Sequence, residues 1–327
     1  MSPRDAPLRI GTRSSALALW QTELVRTLLA EAGHPTDRIE IKTTGDLTPN
    51  VPLSRIGSRA LFTKQIDDAL LERRVDLAVH SLKDLPTELP DGITVAAVSA
   101  REDPRDALVG RGALRWADLP PGAIIATSSL RRRAQLLSAR RDLRVAEIRG
   151  NVDTRLAKLD AREDWSAIVL AAAGLIRLGF AHRIGERLSP AIMLPAPGQG
   201  ALAVTARTGD AEIKSLIRQV VHDRETAVSV AAERAFLRRL EGGCQVPVAA
   251  YACQYRHVSG QSMLRLDGRV IALSGESMAE GTEEAVFRDE AHAADVGTML
   301  AERLLKSGAA AILSEVRAAV APVVTEP

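Results

Sequence analysis

Aromatic residues make up only 3% of this 327-residue chain. Its cores must therefore be packed by Ala, Val, Leu and Ile, and the stacking platforms favoured by single-stranded nucleic acid are scarce. Cysteine is rarer still. Cys244 and Cys253 are too few and too close in sequence for a disulfide framework or for a zinc site of about four ligands, and the six histidines are scattered. Metal-free chemistry is expected. Neither charge is in excess: 43 basic against 41 acidic residues leave a net charge of +2, which supplies no whole-chain cationic field for non-specific nucleic-acid binding. No stretch approaches the ~20 apolar residues of a membrane span. The N-terminal MSPRDAPLRIG has no apolar signal core, and a cytoplasmic protein is expected. A P-loop is absent, as is a GxGxxG after the first strand, which disfavours nucleotide chemistry. Lysine, too, is sparse, with six among the 43 basic residues. Anion recognition has to be local and falls to arginine, whose planar fork grips carboxylate or phosphate in a bidentate way.

What the chain does have is alternation. Strand-like runs at 8–11, 38–44 and 75–81 interleave with helical patterns at 15–33 and 61–74. A second set repeats the theme, with strands at 123–128, 143–148 and 167–175 and helices at 130–140 and 153–161. Such alternation predicts βαβ units and largely parallel sheets, here as two α/β domains of about 100 residues. Residues 101–122 and 189–207, rich in Pro, Gly and charge, read as breaks between them. Beyond residue 222 a long helix from Arg224 to Leu240 precedes EGGCQVP, two strand-like pieces and a helix over 290–308, the order of a smaller α+β domain. The polar run 45–60, carrying Arg55 and Arg59, is too long for a plain connector and reads as a mobile lid.

Four segments bear candidate chemistry. In VDLAVHSLKDLP, Pro86 biases Leu85 to an extended conformation, so Ser81, Lys83 and Asp84 fall just past the carboxyl end of a buried strand, where open α/β sheets bind ligands. The plainer alternative for Asp84 is a turn or capping aspartate. In TSSLRRR, Thr127, Ser128 and Ser129 open a helix whose free N–H groups suit anions. Arg131 and Arg132 in its first turn oppose the helix dipole and call for another reason. In RGNVDTR, Arg149 and Arg155 flank a further strand end, and Arg177 in AGLIRLG adds another guanidinium. So many arginines suit a ligand with several carboxylates better than one phosphate. In EGGCQVP, Gly242 is a C′ residue, and the negative end of the preceding helix raises rather than lowers the thiol pKa of Cys244. That argues against a strongly activated thiolate nucleophile, and a lone cysteine is most often a small buried hydrophobe, as Cys253 in YACQY reads.

Taken in order, LRIGTRSSALALWQ, RALFTKQID, AVHSLKDLPTELP, REDPRDALV, TSSLRRRAQL, RGNVDTRLAKLD, LPAPGQGALAV and ERAFLRRLEGGCQVPVAAYA closely resemble the porphobilinogen deaminase (hydroxymethylbilane synthase) family over residues 8–252. The resemblance implies an α/β fold of two periplasmic-binding-protein-like domains plus a smaller α+β C-terminal domain. The implied boundaries are 1–101 with 202–221, 102–201, and 222–327. It also implies a monomeric transferase that joins four porphobilinogen molecules into hydroxymethylbilane, with loss of ammonia, in porphyrin and heme biosynthesis. The implied cofactor is a dipyrromethane bound through a thioether to Cys244, and the implied catalytic residue is Asp84. Lys83, Thr127, Ser129, Arg131, Arg132 and Arg155 match cofactor-holding positions, and Arg13, Ser15, Arg149 and Arg177 match substrate-holding ones. The sequence departs from the family pattern at Ser14 and Ala16 and in the SRIGSRALF stretch, and after residue 252 the match is loose. The alternatives from other classes are a non-catalytic α/β module that binds a carboxylate ligand and an arginine-rich nucleic-acid binder; near-neutral charge and few aromatics disfavour the second.

Overall fold

The computed structural model describes residues 6–43, 63–240 and 246–320. They divide into two compact units, one built from 6–43, 63–104 and 198–227 and the other from 105–197, 228–240 and 246–320.

The first unit is an α/β layer structure. Strand β1 (Leu8–Thr12) leads into α1 (Ala16–Glu31), followed by β2 (Thr36–Glu40), α2 (Lys64–Leu71), β3 (Leu77–Ser81) and β4 (Ile93–Val98). Helix α1 starts where the Ser15 hydroxyl accepts from Ala18 N–H. It buries Ala18, Gln21, Thr22, Val25 and Leu29, the three- and four-residue spacing of one helical face. β1 lies parallel to β2 and β3. β2 comes earlier in sequence than the apolar pattern suggests, because its register with β1 pairs Thr36 with Leu8 and Glu40 with Thr12 and ends there.

In the second unit, β5 (Asp106–Val109), β6 (Ile124–Ala126), α3 (Leu130–Ala139), β7 (Arg144–Ala146), α4 (Val152–Ala161), β8 (Ala167–Ala171), α5 (Ala172–Arg177) and β9 (Glu186–Arg187) form another sheet, ordered β7-β6-β8-β5-β9. The apolar run 167–175 is not one strand. It turns into α5 after Ala171.

The chain then returns to the first unit with β10 (Leu202–Arg207) and α6 (Ala211–Val221), completing the sheet order β2-β1-β3-β10-β4. β10 runs antiparallel to both of its neighbours, Leu202 facing Ser81 and Ala203 facing Val98. The two sheets are thus built alike, since β5 is likewise the antiparallel strand beside β8 and β9. Both β5 and β10 fall in stretches that read as breaks, because their partners are remote in sequence and both are buried along their whole length. In the first unit Leu77 and Val79 pack with Ile10, Val25, Leu29, Val204 and Ile217 on one face. Ala78 packs with Ile66, Ala69 and Leu70 of α2 on the other, and alternation places His80 on that second face.

Helix α7 (Arg224–Arg239) leads to an antiparallel sheet of β11 (Val248–Arg256), β12 (Ser262–Ile271) and β13 (Met278–Val286). Helices α8 (Glu290–Leu304) and α9 (Ala310–Val320) follow, separated by a kink at Ser307–Gly308. Phe236, Leu264, Leu266, Val270, Leu300 and Leu304 form this smaller α+β core. It is tied to α3 by Arg269 Nη1, which donates to Gln135 Oε1 at 3.0 Å, and to the loop at Pro195 by Ala250 N, which donates to its carbonyl at 3.1 Å. Among the described residues no helix is long and apolar enough to cross a membrane.

Candidate functional site

In the first unit, candidate side chains lie at the carboxyl ends of the parallel strands β1 and β3. Arg13 follows β1 directly and Ser15 caps α1. Ser81 closes β3, after which Leu82–Asp84 make a single 3₁₀ turn and Leu85 is extended, as Pro86 requires. A small cleft of about 60 Å³ lies here, with Arg13, Ser15, Gln21, Thr63, His80, Ser81 and Asp84 in its wall. The carboxylate of Asp84 is exposed. Gln21 Nε2 donates to Ser81 Oγ at 2.8 Å, fixing the strand end against α1.

Lys83 turns toward the GQG segment. Its Nζ donates to Gln199 Oε1 at 3.3 Å, Gln199 Nε2 donates to Pro104 O at 2.7 Å, and Arg101 Nε donates to Gln199 O at 2.8 Å. Gly200 has φ +94° and passes so close to the Glu102 carbonyl that a Cβ would collide with it; only glycine lets β10 enter the sheet here. His80 lies wholly inside, its Nε2 3.1 Å from Thr205 Oγ1. Burial, and then the positive charge of Arg13, hold its imidazole pKa down to about 4, so it is neutral at physiological pH.

In the second unit, β7, β6 and β8 are parallel and again present their carboxyl ends together. Thr127 is buried, and its hydroxyl accepts from Ser129 N–H at 3.2 Å. The Ser129 hydroxyl caps α3 by accepting from Arg132 N–H. Arg131 and Arg132, though in the first helical turn, are buried, and the reason is Asp106. That carboxylate opens β5 opposite Ala171 at the end of β8. Asp106 is 0% exposed and pairs with Arg131 Nη1 at 2.8 Å and Arg132 Nη2 at 2.7 Å. Arg131 Nη1 also donates to Leu194 O, and Arg132 Nη1 to Val169 O. Burial pulls the Arg131 pKa down, and Asp106 pulls it partly back.

Arg149 and Arg155 flank the turn after β7. Gly150, at φ +115°, makes that turn, and its carbonyl accepts from Arg155 Nε at 2.7 Å. Arg177 ends α5 and is buried. The structure thus places Thr127, Ser129, Arg131 and Arg132 just after β6, Arg149 and Arg155 around the turn after β7, Arg177 at the end of the helix after β8, and Arg13, Ser15, Lys83 and Asp84 just after β1 and β3. Two buried guanidinium groups on the single carboxylate of Asp106 leave a net positive charge there, which suits an anionic ligand.

Cys244, with Gly242, and the 45–60 run with Arg55 and Arg59 lie outside the described residues. Cys253 is only half-buried on β11, not fully buried as its apolar context suggests, and burial raises its thiol pKa. No group of three metal-ligating side chains occurs among the described residues. Sequence reasoning passed over Asp106, Gln199 and His80. The signal for Asp106 is an acid set directly before the apolar ALV, the start of a buried strand.

Residues 8–215 match the family described as porphobilinogen deaminase, dipyromethane cofactor binding domain, and residues 227–306 match its C-terminal domain. A porphobilinogen deaminase of Syntrophotalea carbinolica is 49% identical over 313 residues, 95% of this chain and 96% of that protein. One from Rubrobacter xylanophilus is 50% identical over 311 residues, 95% of this chain and 97% of that protein. Among solved structures, a nutrient binding protein from Burkholderia cenocepacia bound to methionine aligns with 64% of this chain and 90% of its own, at 14% identity and a TM-score of 0.41.

Proposed function

The chain belongs to the porphobilinogen deaminase family, and from that premise we propose how its residues divide the work. The activity is the head-to-tail joining of four porphobilinogen molecules into hydroxymethylbilane with release of ammonia, a transferase reaction of tetrapyrrole biosynthesis. The observation that carries the reading is near-50% identity along almost the whole chain. The two arginine-bearing sheet edges support it, because each substrate unit brings two carboxylates.

The family's dipyrromethane fits the residues present. Arg131 and Arg132 share the single carboxylate of Asp106, which leaves a net positive charge, and with Arg155, Thr127, Ser129 and Lys83 they would hold the carboxylates of the dipyrromethane. Cys244 carries it as a thioether. When bound, it supplies the pyrrole carbon on which the product grows. Arg13, Ser15, Arg149 and Arg177 hold the acetate and propionate groups of incoming substrate, and each charge-assisted contact contributes ~1.5 to 3 kcal/mol.

Asp84 is the catalytic residue. From the exposed turn after β3 its carboxylate stabilises the positive charge that builds on the substrate's pyrrole nitrogen as the aminomethyl C–N bond breaks. It then takes the proton released from the coupled ring carbon. Lys83, tethered to Gln199, sets the direction of this turn.

We further propose three domains, 1–101 with 202–221, 102–201 and 222–327, in a cytoplasmic monomer; size-exclusion chromatography with light scattering reads the oligomeric state. The functional reading is tested by the intact mass of the protein beside its Cys244→Ser variant. An excess equal to two linked pyrrole units, absent from the variant, supports it. An unmodified mass from cells that make porphobilinogen leaves a carboxylate-binding module as the better reading.

A further inference from the structure

Gln135 stands midway along α3, one turn beyond Arg131 on the same face, and is 1% exposed. Its amide grips both backbone groups of Leu194, in the segment that follows β9. Oε1 accepts from Leu194 N at 2.8 Å, and Nε2 donates to Leu194 O at 3.0 Å. These bonds fix which way the amide points, because only its oxygen can accept and only its nitrogen can donate. The same Leu194 carbonyl accepts from Arg131 Nη1 at 2.7 Å. Through that nitrogen Arg131 also pairs with Asp106, at 2.8 Å. Two oxygens facing Nη1 therefore set the direction of the guanidinium, and one of them is placed by Gln135.

The amide also reaches the α+β domain. Arg269 on β12 donates from Nη1 to Gln135 Oε1 at 3.0 Å and to Ala191 O at 3.3 Å. Its Nη2 pairs with Glu280 on β13 at 2.9 Å, so one end of this fork lies on a surface ion pair and the other on Gln135. Ala250 of β11 donates to Pro195 O at 3.1 Å, one residue past Leu194. The turn between β12 and β13 lies against the same helix, since a Cβ on Gly275 would collide with the backbone of Leu137 and Ser138. Residues 191–195 are thus bonded both to α3 and to the strands β11 and β12. A side chain that only packed here would be better served by Leu or Met, because burying an amide costs free energy unless its polar atoms are bonded.

Resting on the porphobilinogen deaminase reading, in which Arg131 holds a carboxylate of the dipyrromethane, we propose that Gln135 and Arg269 are positioning residues for the reaction. Through the Leu194 carbonyl they aim Arg131, and the α+β domain thereby helps to set how the cofactor is held. Without the amide, Leu194 O loses the donor that anchors it, and Arg131 Nη1 is no longer drawn to a fixed point beside Asp106. Arg131 then holds its carboxylate at a shifted position, and a displacement of about 1 Å at a reacting centre can cost about 10² in rate. Capture of incoming substrate is assigned to Arg13, Arg149 and Arg177, which this network does not touch. The signature of the relay is therefore a fall in kcat with little change in KM.

The test compares holoenzymes of wild type, Gln135→Met, Arg269→Met and Glu280→Gln, each assayed below its own unfolding transition, with rates divided by the cofactor-loaded fraction read from intact mass. Gln135→Met keeps the bulk of the side chain and is expected to lower kcat about tenfold, with KM for porphobilinogen within about twofold of wild type. Arg269→Met should lower kcat about threefold, and it carries the test if Gln135→Met does not fold. Glu280→Gln removes only the surface ion pair and should match wild type. A crystal structure of Gln135→Met gives a readout independent of rate, in which Arg131 Nη1 should lie beyond the hydrogen-bonding limit of about 3.5 Å from Leu194 O. Unchanged kcat per loaded molecule in both Met variants, whatever their stability, would mean that Gln135 only joins the domain to α3 and would overturn the proposal. A rise in KM alone, an Arg131 still bonded to Leu194, or equal losses in Arg269→Met and Glu280→Gln would overturn it as well. A wild type that neither carries the pyrrole mass nor converts porphobilinogen would sink the family reading instead, so the two failures are distinct.

Discussion

Asp106 Oδ1 accepts from both Nε and Nη2 of Arg132, at 3.0 and 2.7 Å, in a side-on grip that leaves the guanidinium no freedom to rotate. Its other oxygen pairs with Arg131. One carboxylate thereby offsets two buried cations and aims both. Asp106→Ala strands these charges in the interior, and removal of one partner from a buried pair costs ~3 to 5 kcal/mol. Urea unfolding of the variant should show a loss of that order, and intact mass should show a reduced fraction carrying the pyrrole cofactor. A variant as stable as wild type, with full cofactor occupancy, would show that the arginines do not depend on Asp106.

Asp84 offers the opposite case. Its carboxylate is exposed and it caps no long helix, so Asp84→Asn should alter stability by less than about 0.5 kcal/mol. Turnover should nevertheless fall by about 10² or more, since general acid–base and charge-stabilising roles are lost together. Porphobilinogen consumption, measured beside thermal unfolding, separates the two effects. Near-normal turnover in a well-folded Asp84→Asn enzyme removes Asp84 from the chemistry.

The contrast between these aspartates shows what could be read in advance. Asp84 was accessible to sequence reasoning because strand, turn and Pro86 are contiguous, and its position depends on local geometry alone. Arg131 and Arg132 were recognised as anomalous cations at a helix start, but their partner could not be named. Asp106 reaches them only through the antiparallel pairing of β5 with β8, more than fifty residues away in sequence. β10 escaped notice for the same reason, since its partners β3 and β4 lie a hundred residues upstream and no local alternation marks a strand buried on both faces. Thr63 and Asp67 look like ordinary first-turn residues in sequence. Only the packed sheet shows that both are buried and that, among the described residues, their side-chain oxygens make no well-formed hydrogen bond.

Gly200 is where the returning strand must thread beneath the Glu102 carbonyl with φ +94°. Gly200→Ala adds a Cβ that collides with that oxygen and imposes a disfavoured backbone conformation, at ~1 to 3 kcal/mol for the strain alone. Because Gln199 precedes it and holds Lys83, the variant should lose turnover as well as stability. Hydrogen exchange should locate the loosening in β10 and β3 rather than in the C-terminal sheet. Exchange unchanged in β10 would exclude the close approach as a constraint.

Two buried groups on the same side of the first sheet titrate in opposite senses, and this gives stability a characteristic pH dependence. Asp67 ionises near 3.8 when unfolded and at about 6 when folded. As pH rises through that interval the unfolded chain releases its proton first, so stability is lost, and the loss persists above pH 6. His80 takes up its proton near 6.5 when unfolded and at about 4 when folded. As pH falls through that interval the unfolded chain is protonated first, so stability is again lost, now in the acid direction. Burial is the main cause of both shifts; the neighbouring charges that add to it are Asp68 for Asp67 and Arg13 for His80. Asp67→Asn removes only the first contribution. It should be more stable than wild type by about 1 to 3 kcal/mol at pH 7, show little gain below pH 4, and fall more steeply than wild type between pH 6.5 and 4. Urea unfolding at a series of pH values measures each arm. A gain of the same size at acid and neutral pH would mean that the substitution acts through packing and that Asp67 carries no buried charge in the folded protein.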